Sequence, residues 1–214
     1  MEPGMTDLLS GGDTGLYWDR VRAGLESLTR TWSRLATQKG SKLVTLSRPA
    51  VDPQAEAALD WAWRTALEAR GPVSLLLIAL DRKDEYLAAY GPRVAEDCAV
   101  LVGEAISAAL PRGEVGFLRF GPSQYLVLLP GVERRAARKL ARHLVGTVRG
   151  CRYSHKDSHA GVVTASIGLV SAAPEHRPAG EALRRAASDL LKAQKRGLGR
   201  IAVAELRALS RRAA

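Results

Sequence analysis

The sequence has few cysteines, few aromatic residues and no long apolar run. The two cysteines, Cys98 and Cys151, are too few and too far apart in the chain for a disulfide framework or a cysteine-based metal site. The longest mainly apolar run, residues 73–80, has the length of a strand, whereas a membrane-spanning helix needs about 20 apolar residues. No basic segment followed by an apolar stretch opens the chain, so we expect no export signal, no membrane span and a cytoplasmic location.

Acidic residues are scarce relative to basic ones, because 32 lysines and arginines outnumber 22 aspartates and glutamates and give a formal net charge of +10. Such a charge can attract nucleic acid, nucleotides or acidic partners. The basic residues are spread over several predicted helices, however, and they are not interleaved with the aromatic residues on which single strands stack. We therefore interpret the charge as a solvated surface and do not expect nucleic-acid binding.

The N-terminal region predicts a tail and a helix ahead of the main domain. Residues 1–13 show no periodicity and predict a flexible tail, whereas residues 14–37 predict a helix with apolar side chains at alternating steps of three and four. Such steps are typical of a coiled-coil seam, although three short heptads and Gly24 make the helix weak alone. The seam can pair with a second copy, which gives a homodimer, or pack on its own domain, and we favour pairing. Its residues are Trp18, Val21, Leu25, Leu28, Trp32 and Leu35.

After a linker at 38–53, residues 54–204 predict one domain of helices and strands, followed by a C-terminal tail at 205–214. The connection 121–124 between two apolar strands indicates a β-hairpin. A hairpin within a helix–strand alternation predicts an α+β sandwich of the palm or ferredoxin-like type, in which a central, mainly antiparallel sheet is flanked by helices. The predicted helices are 54–70, one that includes 94–110, 134–148 and 180–196, and the predicted strands are 73–80, 115–120, 125–129, 162–170 and 201–203.

The hairpin is the most informative stretch of the sequence. Residues 119–125 read Arg-Phe-Gly-Pro-Ser-Gln-Tyr and lead into an apolar strand that ends at Pro130. This stretch resembles the signature hairpin Arg-Tyr-Gly-Gly-Glu/Asp-Glu-Phe of the diguanylate cyclases, the GGDEF family. The resemblance covers about 54–203 and implies the family's fold and a place in bacterial cyclic di-GMP signalling. Four further segments are similar to the family in the same order: Pro-Val-Ser-Leu-Leu at 72–76, Tyr90-Gly91, Val-Thr-Ala-Ser-Ile-Gly at 163–168, and Ala193, Gly197 and Arg200 of the closing motif.

The resemblance also indicates which functional residues this chain has replaced. In the family, two GTP molecules held by facing domains react with the help of metal ions, which are bound by carboxylates at the end of the first strand and in the hairpin. Here Ala79 and Ser123 occupy these positions, and neither replaces a carboxylate as a ligand of a hard divalent cation. The second glycine of the hairpin is Pro122, which lacks an N–H donor and puts its ring where phosphate would lie. The degenerate signature comprises Gly121, Pro122, Ser123, Gln124 and Tyr125.

The positions that bind guanine and phosphate in the family are replaced as well. Leu87 and Glu96 stand where the family reads guanine with Asn and Asp, and leucine cannot form a hydrogen bond. Basic phosphate-binding positions hold Asp84, Gln194 and Leu198. We therefore predict that the chain has no catalytic residues, no metal site, no cofactor and no diguanylate cyclase activity.

Three residues could still contact a ligand: Asp81, Glu96 and Arg112. Asp81 matches the second acidic residue of the strand-end motif, and Glu96 could accept a hydrogen bond from guanine. Arg112 matches the arginine of the family's Arg-x-x-Asp inhibition site, but Val115 replaces the aspartate, so binding of cyclic di-GMP is only weakly supported. We expect a catalytically inactive regulatory module that binds a protein partner of unknown identity. The alternative is a sensor that binds cyclic di-GMP or another nucleotide without turnover.

Overall fold

The long apolar run of the sequence forms the central strand of the domain. The computed structural model describes residues 53–113, 115–119, 121–174 and 179–206, and all eight residues of the strand β1 (Val73–Leu80) are buried. Burial on both faces requires a layer of helices on each side of the sheet. The elements in chain order are α1 (Pro53–Glu68), β1 (Val73–Leu80), α2 (Lys83–Ala108), β2 (Gly116–Arg119), β3 (Gln124–Pro130), α3 (Arg134–Gly150), β4 (Ala165–Ala172), α4 (Ala179–Lys195) and β5 (Ile201–Leu206).

The five strands form one sheet in the order β2-β3-β1-β4-β5. β1 lies antiparallel to both β3 and β4, and β2 pairs with β3 as the predicted antiparallel hairpin. β5 runs parallel to its neighbour β4. The predicted α+β sandwich with a mainly antiparallel sheet is therefore confirmed.

Alternate residues of β1 belong to two separate hydrophobic cores, because successive side chains of a strand point to opposite faces. Leu75 and Leu77 pack in the core formed with α1 and α4, whereas Leu76 and Ile78 pack in the core formed with α2 and α3. Full burial of such a side chain contributes about 1.5–3 kcal/mol of transfer free energy. The two cores hold β1 from both sides and so fix the position of its C-terminal end.

Helix α2 is interrupted at Gly91, whose φ of 81° and ψ of 168° are not helical. Pro92 follows at once and suits the first turn of a new helical segment, because it has no N–H group to donate. The break lies at Tyr90-Gly91, where the sequence resembles the turn of the family. Residues from both halves of α2 line one cavity at the end of β1.

The strands β4 and β5 differ in their bounds from the predicted strands 162–170 and 201–203. β4 begins at Ala165, because Val163 donates its N–H to the carbonyl oxygen of Tyr153, at 2.8 Å, and so belongs to the preceding loop. β5 continues to Leu206, because its last residues pair with the end of β4. Both differences arise from contacts between segments that are distant in sequence.

Several predicted segments lie outside the described residues. At the N-terminus they are the tail 1–13, the helix 14–37 with its seam, and the linker 38–53 up to residue 52. At the C-terminus it is the part of the predicted tail 205–214 that follows Leu206. The pairing of the seam therefore stays a prediction. Among the helices in the described part of the chain, none is both long enough and apolar enough to cross a membrane.

Candidate ligand site at the end of the central strand

The end of β1 lies between the start of β3 and the segment that precedes β4. The N–H of Leu80 donates to the carbonyl oxygen of Ser123 at 3.0 Å, and the N–H of Asp81 donates to the carbonyl oxygen of Thr164 at 2.9 Å. Ala79, the residue before Leu80, is buried. The structure thus brings the positions of Ala79 and Ser123 to one end of the sheet, where the first has a methyl group and the second a neutral hydroxyl.

These residues do not fit a divalent cation. Mg²⁺ is bound by carboxylates, carbonyl oxygens and water. At the two positions where the family that the sequence resembles has carboxylates, this chain has Ala79 and Ser123. Within the described ranges, no group of three or more His, Cys, Asp or Glu side chains could hold a metal ion. No metal-dependent step can be assigned to this set of residues.

Arg119 holds the turn of the hairpin. Its Nε donates to the carbonyl oxygen of Gly121 at 3.1 Å, and its Nη2 donates to the carbonyl oxygen of Pro122. Gly121 has a φ of 108°, which a residue with a side chain rarely adopts, and Pro122 suits the second position of a turn. Tyr125 is fully buried, donates from its hydroxyl to the carbonyl oxygen of Ala99 at 2.5 Å, and has its pKa raised by burial. The signature segment has kept a turn and its packing.

Glu96 is paired with Arg119 through both carboxylate oxygens. Nη1 donates to Oε1 at 2.5 Å and Nη2 donates to Oε2 at 2.7 Å, which is the fork geometry of an arginine–carboxylate pair. The hydrogen bond from Arg119 lowers the pKa of the Glu96 carboxyl and raises the pKa of the guanidinium. A guanine edge would have to compete with this pair for Glu96.

Asp81 is a buried structural carboxylate, with 4 % of its surface exposed. Its Oδ2 accepts hydrogen bonds from Thr164 Oγ1 at 2.7 Å and from the N–H of Gly199 at 2.8 Å. It therefore joins the end of β1 to the segment before β4 and to the loop before β5. Its Oδ1 is buried and has no hydrogen-bond partner among the described residues.

A cavity of about 300 Å³ lies beside Asp81 and between the two halves of α2. Its wall is mainly apolar, and charged side chains stand among the lining residues only at a few positions. Burial is the main cause that raises the pKa of the Tyr86 hydroxyl, and a hydrogen bond with Cys98 adds to it. The lining residues are Leu80, Asp81, Lys83, Asp84, Tyr86, Leu87, Pro92, Ala95, Glu96, Cys98, Pro122, Ser123, His155 and Val163.

His155 is a cavity residue that sequence analysis missed. It is 1 % exposed, its Nε2 lies 3.2 Å from the carbonyl oxygen of Arg82, and its ring meets Tyr86 edge-on with 5.0 Å between the centroids. The loop that carries His155 shows neither a period nor a motif. The bridge between Ser154 and Val162 closes this loop and places the ring against the start of α2. No signal in the sequence could have identified it.

The structure brings together some of the predicted site residues and separates others. Leu87, Glu96 and Asp81 surround the cavity together with the hairpin residues Pro122 and Ser123. By contrast, several predicted positions of the family site do not line the cavity. Arg112 is exposed in the loop between α2 and β2, and Gln194 and Leu198 lie near the end of α4. The others are Ala79, Gly121, Gln124 and Tyr125. Val115, at the aspartate position of the inhibition site, is half-buried against the core formed with α2 and α3.

Fold and site together define the class of protein: a palm-like α+β domain with a hairpin beside its central strand and a cavity at the end of that strand. The family model described as diguanylate cyclase, GGDEF domain, matches residues 54–200, and the chain belongs to the GGDEF family. No curated protein matches the sequence.

Solved structures agree with this assignment. One is the coiled coil and GGDEF domain of DgcB from Caulobacter crescentus in complex with c-di-GMP. Its sequence is 16 % identical to this chain, and the match covers 89 % of this chain and 99 % of the DgcB chain with a TM-score of 0.64. The GGDEF domain of YfiN from Pseudomonas aeruginosa is 25 % identical over 72 % of this chain and 94 % of its own, with a TM-score of 0.57. The diguanylate cyclase SiaD from the same organism, in complex with its activator SiaC, is 20 % identical over 89 % of this chain and 75 % of its own, also with a TM-score of 0.57.

Proposed function

We propose that this GGDEF domain is catalytically inactive and serves as a regulatory, protein-binding module in bacterial cyclic di-GMP-linked signalling. The observation that carries the proposal lies where the end of β1 is hydrogen-bonded to the residue before β3. At this place Ala79 and Ser123 occupy the positions of the family's carboxylates. Phosphoryl transfer between two GTP molecules depends on metal ions that neutralise charge and align the attack. A methyl group and a neutral hydroxyl give those ions no anionic ligand.

The surroundings of the cavity support the same conclusion. Glu96 is engaged by Arg119 through both oxygens, and Leu87 offers no hydrogen bond to a base. Pro122 has no N–H for a phosphate, and the exposed carboxylate of Asp84 lines the cavity where a triphosphate would bring further negative charge. Relative to the family, the contacts to metal ions, to the guanine base and to phosphate are therefore all weakened at this cavity.

Protein binding is the role that remains for a domain that has the family's fold but lacks the carboxylates of its active site. Four apolar side chains of α2 are 43–45 % exposed, namely Leu87, Val94, Val100 and Leu101. The relative SiaD is known in complex with an activator protein, which supports a partner of this kind. We include in the proposal that the N-terminal seam pairs two copies of the chain.

A turnover assay with a restored variant tests the proposed inactivity. The full chain, incubated with GTP and either Mg²⁺ or Mn²⁺, is expected to form no cyclic di-GMP by chromatography. The variant that combines Ala79→Asp, Ser123→Glu, Pro122→Gly and Leu87→Asn serves as a control for the assay, because it puts back the metal and base contacts of the family. Formation of cyclic di-GMP by the unmodified chain would overturn the proposal.

Sedimentation tests the pairing of the seam. Charged substitutions at Leu25 and Leu28, written Leu25→Glu and Leu28→Glu, are expected to convert a dimer into a monomer, because buried like charges oppose pairing. The matched control is Glu26→Gln, between the two seam positions. A dimer that persists in the Leu25→Glu/Leu28→Glu variant would contradict self-pairing.

The second candidate is a sensor that binds a nucleotide without turnover, and the cavity at the end of β1 favours it. Calorimetry of the full chain with GTP, ATP and cyclic di-GMP separates the two roles. The protein-binding role predicts no heat with any of the three, whereas saturable heat with one of them supports the sensor.

A further inference from the structure

Helix α3 differs in charge from the other helices. Its 17 residues include six lysines and arginines and no aspartate or glutamate. In the described part of the chain, α1 and α4 by contrast pair basic side chains with acidic residues of the same helix, as in Arg64 with Asp60 and Lys192 with Asp189. The cations of α3 have no carboxylate of their own helix to neutralise them.

Four of these cations form a cluster on the exposed side of α3. Residues three or four positions apart are neighbours on a helix surface, with about 5–6 Å between their Cβ atoms. Each member of the cluster has two such neighbours within it, and the cluster extends about 10 Å along the helix axis. All four residues are exposed, and none forms an ion pair within the part of the chain that the structure describes. We name this cluster the cationic quartet, and it comprises Arg135, Arg138, Lys139 and Arg142.

The cationic quartet opposes the folding of its own helix. Like charges three or four positions apart repel each other, and a cation in the first turn of a helix is repelled by the positive end of the helix dipole. Arg135 lies in the first turn, where α3 has no acidic residue. Because the described residues supply no ion-pair partner to the quartet, an anionic partner would stabilise this surface.

The geometry of the quartet fits the carboxylates of an acidic helix. An arginine guanidinium forms two parallel hydrogen bonds with one carboxylate. A helix with carboxylates at positions i, i+3, i+4 and i+7 has the same spacing as the quartet, so four carboxylates can face four cations. Such complementary charges favour association and select the partner.

Nucleic acid and anionic membranes fit α3 less well. A protein that makes about 6–10 phosphate contacts with a duplex needs a larger surface than this quartet. Helix α3 has no Phe, Trp or Tyr on which a single strand could stack. Its apolar residues, such as Leu144 and Val148, are buried in the core formed with α2, so they are not free to enter a membrane.

We propose that the cationic quartet of α3 binds an acidic helix of a protein partner. The quartet is separate from the cavity at the end of β1, because no residue of α3 lines that cavity. The assignment deepens the proposed function, since it names the kind of partner, and it rests on that function in taking the domain to be a protein-binding module.

Two peptides of equal charge test this assignment with the full chain labelled with ¹⁵N. Both are helices of about 20 residues built from alanine and glutamine, long enough to be helical alone, and each carries four glutamates. The patterned peptide has its glutamates at i, i+3, i+4 and i+7, whereas the scattered peptide has them distributed around the helix. At millimolar concentration and low salt, the patterned peptide is expected to shift the amide signals of the quartet. It should bind at least about threefold more tightly than the scattered peptide, which can form only some of the ion pairs at once.

Charge-matched variants show whether the quartet is the binding surface. Replacement of its four residues by glutamine is expected to abolish the shifts and to raise the urea midpoint of unfolding at low salt, because repulsion within α3 is removed. Glutamine has a helix propensity close to that of arginine and lysine, so the substitutions change mainly the charge. The control removes the same charge from exposed residues of other segments, and it is expected to retain the shifts and to raise the midpoint less. Its substitutions are Arg70→Gln, Arg93→Gln, Arg152→Gln and Lys195→Gln.

Each of four outcomes would overturn the assignment. They are the absence of shifts with the patterned peptide, equal binding of the two peptides, unchanged binding by the quartet variant, and a stronger dependence on the quartet for duplex DNA or phosphatidylserine vesicles than for the patterned peptide. The double variant Arg138→Gln/Lys139→Gln replaces the quartet variant if the latter does not fold. Formation of cyclic di-GMP would instead overturn the proposed inactivity. Failure of the patterned peptide to bind leaves that inactivity untouched, so the two failures are distinguishable.

Discussion

Asp81 and Glu96 are acidic side chains on the wall of one cavity, and the structure gives them opposite surroundings. Asp81 is 4 % exposed and accepts hydrogen bonds from the uncharged donors of Thr164 and Gly199. The side chain of Glu96 is 55 % exposed and pairs with the single arginine Arg119. The family positions that they occupy predicted both as residual ligand contacts. In the structure, Asp81 is buried and connects the end of β1 to the segments around Thr164 and Gly199. Glu96 instead pairs with Arg119, which stabilises the turn of the hairpin.

The difference between these two carboxylates is one of energy as well as position. Hydrogen bonds to a charged acceptor contribute about 1.5–3 kcal/mol each, and removing a buried partner leaves the other group unsatisfied. An exposed ion pair contributes little, because water and salt screen it and two long side chains lose rotational freedom. We therefore expect the framework to depend strongly on Asp81 and weakly on Glu96.

Replacement of Asp81 by alanine is expected to have the largest effect, a loss of about 3 kcal/mol in the free energy of unfolding. The substitution leaves the Thr164 hydroxyl and the N–H of Gly199 without their acceptor at a buried place. Urea unfolding followed by circular dichroism measures it. Glu85→Ala removes an exposed carboxylate paired with Arg82 and is the matched control. A loss no greater in Asp81→Ala than in this control would contradict the structural role of Asp81.

Replacement of Arg119 by alanine is expected to have an intermediate effect, about 1 kcal/mol, because its bonds are numerous but exposed. The hairpin loses the contacts to Glu96 and to the carbonyl oxygens of Gly121 and Pro122 together. Amide hydrogen exchange is expected to become faster in the turn and to stay unchanged in β1. Arg64→Ala, which breaks the exposed pair with Asp60, provides the comparison. Equal exchange in the turn of both variants would show that Arg119 does not brace the hairpin.

Features that depend on local pattern could be predicted from the sequence. The apolar run 73–80 predicted the central strand, and the Gly-Pro-Ser-Gln connection predicted the hairpin, because each is encoded by adjacent residues. The positions of Leu87, Pro122 and Ser123 around one cavity followed from the resemblance.

Features that depend on contacts across the fold could not be predicted. The pairing of Glu96 with Arg119 joins residues 23 positions apart, and the bond between Asp81 and Gly199 joins residues 118 apart. Neither separation corresponds to a helical or strand period. The burial of His155 depends on the path of an irregular loop. A sequence pattern can therefore identify a retained carboxylate, but it cannot say whether that carboxylate is open to a ligand.

Replacement of Glu96 by glutamine is expected to have the smallest effect and to depend on pH. The hydrogen bond from Arg119 lowers the pKa of Glu96 in the folded state, so its contribution is fully present above the ordinary value of 4.5 and is lost as the pH falls through the lowered folded pKa. Urea unfolding is expected to show a small difference between wild type and Glu96→Gln near neutral pH, and the difference should shrink toward zero in acid. In an Arg119→Ala background the substitution should have no effect at either pH, because the coupling partner is absent. A difference that persists unchanged in acid would show that Glu96 stabilises the fold by packing, and it would remove the contrast with Asp81.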